Sequence, residues 1–239
     1  MRDYAIKGRL AVATPQANPT VEAEVRRVLP NEVDYCTVRL LSESKDPKTR
    51  LIEYLTALPE TVKCQFSGMT ADILLFGCTA SSYLTDENTE NEIIEKTSEI
   101  LNGAKIVNAA RAIKEYFKQN KIKTIGILTP YPEWLQVQAE RYWTEQGFEV
   151  AATERVDIGT EDTNKIYDLS SNDAKPGLMS LIERNCEAIL ISGTGMPSLR
   201  LISELDQPNK KIISSNYAMA LVGLSYLGLK PRKKTQWFF

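Results

Sequence analysis

Two stretches, "DILLFG" ending at Gly77 and "EAILISG" ending at Gly193, run apolar residue after apolar residue with no alternation. A strand written this way has no face to offer water. It belongs in a parallel sheet covered by helices on both sides. Around the strands Ile73–Gly77 and Ala188–Ser192 the sequence predicts six more: Arg9–Ala13, Val33–Leu40, Lys105–Val107, Thr124–Thr129, Glu149–Ala152 and Lys211–Ser214. Amphipathic helical patterns fill the gaps at Thr20–Val28, Pro47–Cys64, Asn88–Leu101, Ala109–Gln119, Glu133–Gln146, Pro176–Arg184, Pro197–Glu204 and Tyr217–Leu227. Strand-then-helix alternation of this kind predicts an α/β fold built on parallel sheets.

The two apolar runs also belong to a repeat. "ATP" (Ala13–Pro15) recurs as "LTP" (Leu128–Pro130), and "FGCTASSYL" (Phe76–Leu84) has a counterpart in "ISGTGMPSL" (Ile191–Leu199). Thr14 and Thr129 are 115 positions apart, and so are Thr79 and Thr194. A third pair, "NAARAI" from Asn108 and "NYAMAL" from Asn216, is offset by 108. The simplest account is two pseudo-symmetric lobes, each a parallel sheet flanked by helices: residues 1–118 and 119–216, divided near "KQNKI". The segment from about 217 to 239 is expected to pack back on the first lobe. The repeated motifs fall at strand carboxyl ends, where open parallel sheets bind ligands, so a cleft between the lobes is the expected active site.

The 239 residues carry a formal net charge of −2 with acids and bases interspersed, so there is no electrostatic footprint for nucleic acid. No apolar stretch reaches the length of a membrane span, and Met1–Leu10 lacks a signal-peptide core, so a cytoplasmic location is expected. The sequence has no histidine, which excludes Ser-His and Cys-His catalysis. None of the four cysteines forms a C-x-x-C pair, so no metal site is expected.

Of those cysteines, Cys78 has the chemical setting. It leaves a buried strand just before small residues and a helix, where unpaired amides and the helix dipole stabilise a thiolate and can cradle a carboxylate. Cys36, Cys64 and Cys186 read as packing. The apolar end "TQWFF" (Thr235–Phe239) is expected to be buried in the chain's own fold.

"TPQANPTVEAE" (Thr14–Glu24), "FGCTASS" (Phe76–Ser82), "LTPYPEWL" (Leu128–Leu135) and "MPSL" (Met196–Leu199) together resemble the maleate isomerase and arylmalonate decarboxylase branch of the aspartate/glutamate racemase superfamily. The resemblance spans nearly the whole chain. It implies catalysis without metal or organic cofactor on a small carboxylate, and at family level a homodimer. By position it implies that Cys78 is the reactive thiol and that Asn18 and Tyr131 contact a substrate carboxylate. It further implies that Thr79 and Ala80 supply amides, Thr79 a hydroxyl, and Asn164 a looser carboxylate contact. Gly193, Thr194 and Gly195 form the facing loop.

The chain departs from the family pattern at Gly193, where two-base racemases and maleate isomerases carry a second cysteine. Racemisation of amino acids or hydantoins needs an acid and a base on opposite faces of the carbon, so it is disfavoured. Arylmalonate decarboxylases use one cysteine, in the second lobe, so this chain has the mirror arrangement. A decarboxylase in which Cys78 protonates an enolate is therefore the expected activity. Cis–trans isomerisation of maleate with Cys78 as nucleophile is the rival, and a non-catalytic carboxylate-binding protein is the remaining alternative.

Overall fold

A computed structural model describes residues 3, 5–205, 207 and 209–238. The first half contains β1 (Arg9–Pro15), α1 (Thr20–Val28), β2 (Asp34–Leu40), α2 (Pro47–Thr56), α3 (Leu58–Gln65), β3 (Ile73–Phe76), α4 (Thr79–Leu84), α5 (Glu87–Ile100), β4 (Lys105–Asn108) and α6 (Ala109–Gln119). The second contains β5 (Thr124–Thr129), α7 (Glu133–Glu145), β6 (Glu149–Arg155), a 3-10 segment (Thr163–Asp168), α8 (Ser171–Ile182), β7 (Ala188–Ile191), α9 (Leu199–Glu204), β8 (Lys211–Ser214) and α10 (Ser215–Tyr226).

The strands form two four-stranded sheets in the orders β2-β1-β3-β4 and β6-β5-β7-β8, with every pairing parallel. The expected α/β architecture with two similar sheets is observed. Both continuous apolar runs occupy interior strands: every residue of β3 and of β7 is buried. The edge strands β2 and β6 are only partly covered. In each sheet the strand order reverses direction between β1 and β3, or between β5 and β7. That switch point opens a crevice at their carboxyl ends.

Two helical segments depart furthest from the sequence-based expectation. The Pro47–Cys64 segment is two helices, because Pro59 has no N–H to continue the ladder and sits in the first turn of α3 instead. The helix expected to begin at Pro176 begins at Ser171. There the Ser170 amide donates to the Asp173 carboxylate at 2.7 Å, a capping box that starts the helix early. The surface-exposed Pro176 is then tolerated inside it.

Helix α10 follows the second sheet but lies against α6, α1, β3 and β4 of the first lobe. It is seated closely: a side chain at Gly223 would come within 2.9 Å of Leu75. Trp237 is buried, stacked edge-on against Tyr217 at 5.0 Å, whereas Phe238 is 42% exposed. Phe239 lies outside the described residues. No helix among the described residues is long and apolar enough to cross a membrane.

Candidate active site

The loops after β1, β3, β5 and β7 meet between the lobes. They enclose a cavity of about 30 Å³ lined by Cys78, Thr79, Ala80, Tyr131, Gly193, Thr194 and Gly195. That is room for a water or two. A far larger concavity, about 1540 Å³, runs along α5, α6 and α7, but it is open to solvent and holds no thiol. Among the described residues, no group of three or more His, Cys, Asp or Glu side chains could hold a metal ion.

Cys78 is the N-cap residue of α4, with extended backbone (φ −141°, ψ 95°), and its side chain is buried. Burial pushes the thiol above its ordinary range, and the Ser81 hydroxyl, with the amides of Ser81 and Ala80, acts against that rise. Thr79 is the first residue of α4, and its buried hydroxyl has no hydrogen-bond partner. An orphaned buried hydroxyl is costly unless a ligand meets it.

From the other lobe, Tyr131 lines the cavity, with its hydroxyl oxygen 3.3 Å from where a Cβ on Gly193 would lie. Burial holds the Tyr131 phenol well above its usual value, so it stays a neutral donor. Its ring meets Tyr83 edge-on at 6.2 Å, and the Tyr83 hydroxyl in turn contacts Ser192 and accepts from Trp143 Nε1, each at 2.9 Å. Gly193 adopts φ +101°, a region disfavoured for residues with a Cβ, and its amide donates to Ser215. The Thr194 hydroxyl donates to the carbonyl of Gly77 at 2.9 Å and accepts from Asn18 Nδ2 at 3.2 Å. Its proton is committed to the first lobe rather than to the cavity.

Two of the residues singled out from sequence do not line the cavity. The Asn18 carbonyl oxygen accepts from the amides of Thr20 and Val21 and so caps α1, while its amide nitrogen ties the lobes together through Thr194. Asn164 is half-buried, with its backbone amide on Asp162. Its neighbours Thr163, Ile166 and Tyr167 form the wall instead, together with Pro15, Leu51 and Leu135. That wall is held by Arg50, a buried residue of α2 that donates to Asp162 at 2.7 Å and to Thr163 at 3.2 Å.

Sequence reasoning also missed Glu24. This buried carboxylate on α1 accepts from the amides of Ser198 (2.5 Å) and Leu199 (2.8 Å), the Ser198 hydroxyl (2.8 Å) and Asn216 (2.9 Å), all in the second half of the chain. The signal was present: Glu24 shares the helix face of Val21, Val25 and Val28, where an unpaired acid has no place.

A sequence model of the arylmalonate decarboxylase family matches residues 9–236. The curated maleate isomerase of Geobacillus stearothermophilus is 21% identical over 246 residues, spanning 93% of this chain and 92% of that protein. A cysteine-to-alanine mutant of the maleate isomerase Iso from Pseudomonas putida S16, solved with maleate, has a TM-score of 0.82 at 18% identity. It covers 93% of this chain and 92% of its own. A cysteine-to-serine mutant of the Nocardia farcinica maleate cis-trans isomerase, with a covalently bound succinylcysteine intermediate, scores 0.78 at 18% identity over 94% and 97% of the two chains. Arylmalonate decarboxylase itself scores 0.68 at 16% identity over 94% and 95%. At these identities the structural likeness speaks for the fold.

Proposed function

The chain belongs to the arylmalonate decarboxylase family of the aspartate/glutamate racemase superfamily, and from that premise we propose that it decarboxylates a small malonate-type diacid without a cofactor, using Cys78 as the proton donor. The observation that carries this reading is the composition of the cavity wall. It offers one thiol, one set of carboxylate donors and an apolar remainder in Pro15, Leu51, Leu135 and Ile166, while Asn18 and Asn164 stay out of it.

In this mechanism the retained carboxylate sits on the Thr79 hydroxyl, the amides at the start of α4 and the Tyr131 hydroxyl. The other carboxylate lies against the apolar wall, where loss of its hydration favours departure as carbon dioxide. The electron pair left behind forms an enediolate, held by the same donors. Cys78 gives its proton to the α-carbon from the first-lobe side and takes one back from solvent. Gly193 presents no acid to the opposite face, so the product has a single hand, opposite to that of delivery from the second lobe in the same binding pose. A buried thiol held in its protonated form suits this role, since an acid must carry the proton that it gives.

Maleate isomerisation is the second reading, favoured by the TM-score of 0.82 to a maleate-bound isomerase and by the succinylcysteine in the Nocardia relative. It asks for a thiolate nucleophile and a polar seat for a second carboxylate. Proton NMR in deuterium oxide separates the two. Methylmalonate and arylmalonates should lose carbon dioxide and gain one deuterium at Cα, and Cys78→Ser should abolish this. Fumarate from maleate, with malonates untouched, overturns the decarboxylase in favour of the isomerase.

A further inference from the structure

β3 ends at Phe76, and the next two residues, Gly77 and Cys78, join it to α4. The Gly77 amide still donates to the Ala13 carbonyl of β1 at 2.7 Å. The Gly77 carbonyl, however, lies past the last register pair of β3 with β4, Phe76 with Asn108. Its partner comes from the other lobe: the Thr194 hydroxyl donates to it at 2.9 Å. That carbonyl and the Cys78 amide share one rigid peptide plane. Nothing larger than glycine fits at position 77, where a Cβ would lie 2.9 Å from the Val21 side chain. Glycine in turn leaves the plane freer to rotate than any other residue would.

We propose that Thr194 is a positioning residue for Cys78: reaching across from the second lobe, its hydroxyl fixes the Gly77–Cys78 peptide and with it the direction in which the thiol enters the cavity. Thr194 is itself held at several points. Its hydroxyl oxygen accepts from Asn18 Nδ2 at 3.2 Å, and its carbonyl accepts from Asn216 Nδ2 at 3.0 Å. The carbonyl of the next residue, Gly195, accepts from the Thr20 hydroxyl at 2.8 Å. The same Asn216 nitrogen donates to the Glu24 carboxylate at 2.9 Å, and two pure acceptors fix which end of that amide faces them. The Asn216 oxygen is buried without a hydrogen-bond partner, a cost that the bonds of the nitrogen have to offset.

The pair of asparagines in the third sequence repeat thereby acquires a use. Asn108, the counterpart of Asn216, donates to the buried Glu90 and to Ser82 of α4, each at 2.9 Å. Each lobe ties a buried glutamate, through an asparagine, to a segment that lines the cavity. The tie in the second lobe continues through Thr194 into the peptide that precedes the thiol. With its proton on Gly77, Thr194 has none to give a substrate, and its contribution to the site is to hold the thiol. The inference concerns the backbone at Cys78 and holds whichever reaction the thiol performs.

This peptide can be observed by itself, because Gly77–Cys78 is the one Gly-Cys pair in the sequence. Full-length protein labelled with carbon-13 at glycine carbonyls and nitrogen-15 at cysteine gives a single HNCO cross-peak. Its carbonyl shift reports the hydrogen bond on Gly77, and the amide–Hα coupling of the same cysteine reports φ. The unmutated protein should show the large coupling of a residue at φ −141°. Thr194→Val, which keeps the shape and removes the hydroxyl, should move the carbonyl shift upfield and change the coupling. Thr194→Ser should restore both. Asp173→Ala, which removes the capping box of α8, should leave both unmoved although it too lowers stability. On a diacid that is turned over, kcat should fall about fivefold in Thr194→Val, the worth of one modest hydrogen bond, with KM unchanged, and recover in Thr194→Ser. A small coupling in the unmutated protein overturns the inference. So does a Thr194→Val cross-peak that stays in place, one that Thr194→Ser fails to restore, or one that moves while kcat is intact. If no diacid is turned over, the reading of the reaction fails and the cross-peak decides this inference alone. Should Thr194→Val not fold, Asn216→Ala takes its place, with the same direction of shift expected and an unmoved peak refuting it.

Discussion

Replacing Gly193 by alanine tests whether the missing second thiol reflects backbone geometry or only a lost side chain. At φ +101° a residue with a Cβ is strained by about 1–3 kcal/mol. The new Cβ would also lie 3.2 and 3.3 Å from two ring carbons of Pro130 and 3.3 Å from the Tyr131 hydroxyl oxygen. Those contacts are tight, and the side chain able to yield is the buried Tyr131. For a chain of this size each kcal/mol moves Tm by about 2–4 °C, so Gly193→Ala should melt about 2–12 °C below the unmutated protein. Gly193→Cys should fall at least as far, because it carries the same Cβ, and it should not racemise. Calorimetric melting of both variants gives the first quantity. Deuterium exchange at Cα of an enantiopure product acid gives the second. A Gly193→Ala variant that melts within about one degree of the unmutated protein refutes the strain argument. A stable Gly193→Cys variant that racemises both hands refutes its functional corollary.

Glu24→Ala leaves two backbone amides at the start of α9 without an acceptor in a buried place, which should cost about 2–6 kcal/mol in urea unfolding. Glu60→Ala, which removes only exposed contacts to Lys63 and Lys96, should stay within about 1 kcal/mol. Asn18→Ala should lower stability by about 1–2 kcal/mol through loss of the α1 cap. A rise in KM with unchanged stability would instead make Asn18 a substrate contact. Burial raises the thiol of Cys36 to about 11 and that of Cys78 in the same direction. Folded-state pKa values above the unfolded ones contribute stability that is complete below about pH 8.5 and lost as pH rises through the folded values. Unfolding free energy should therefore decline from about pH 8.5 toward pH 11, less steeply in Cys36→Ala, and an equal slope in that variant would contradict the assignment.

The strands were legible because burial on both faces leaves a signature that no other element shares: "ILLF" and "AILI" could only be interior strands. Cys78 was legible for a related reason, since the end of such a strand fixes where the next helix begins. That Asn18 and Asn164 stay off the cavity wall was not legible, because an asparagine in a loop carries the same letter whether it faces a cavity or its own backbone. Only the geometry shows the Asn18 oxygen spent on Thr20 and Val21. The apolar wall of Leu51, Leu135 and Ile166 was illegible for another reason. These residues look like ordinary core positions on their own elements, and their shared cavity arises from contact between segments far apart in the chain.

Helix α10 has a consequence for the order in which this molecule can be completed on the ribosome. The first sheet is synthesised before the second, but the helix that covers part of its face against β3 and β4 follows all eight strands in the chain. Until Ser215–Tyr226 arrives, Leu75 and its neighbours lack the surface on which they close, and the turn that presents Cys78 has unfinished support beneath it. The support beneath the thiol is therefore completed only after the second sheet has been made, so the two halves of the chain are finished together.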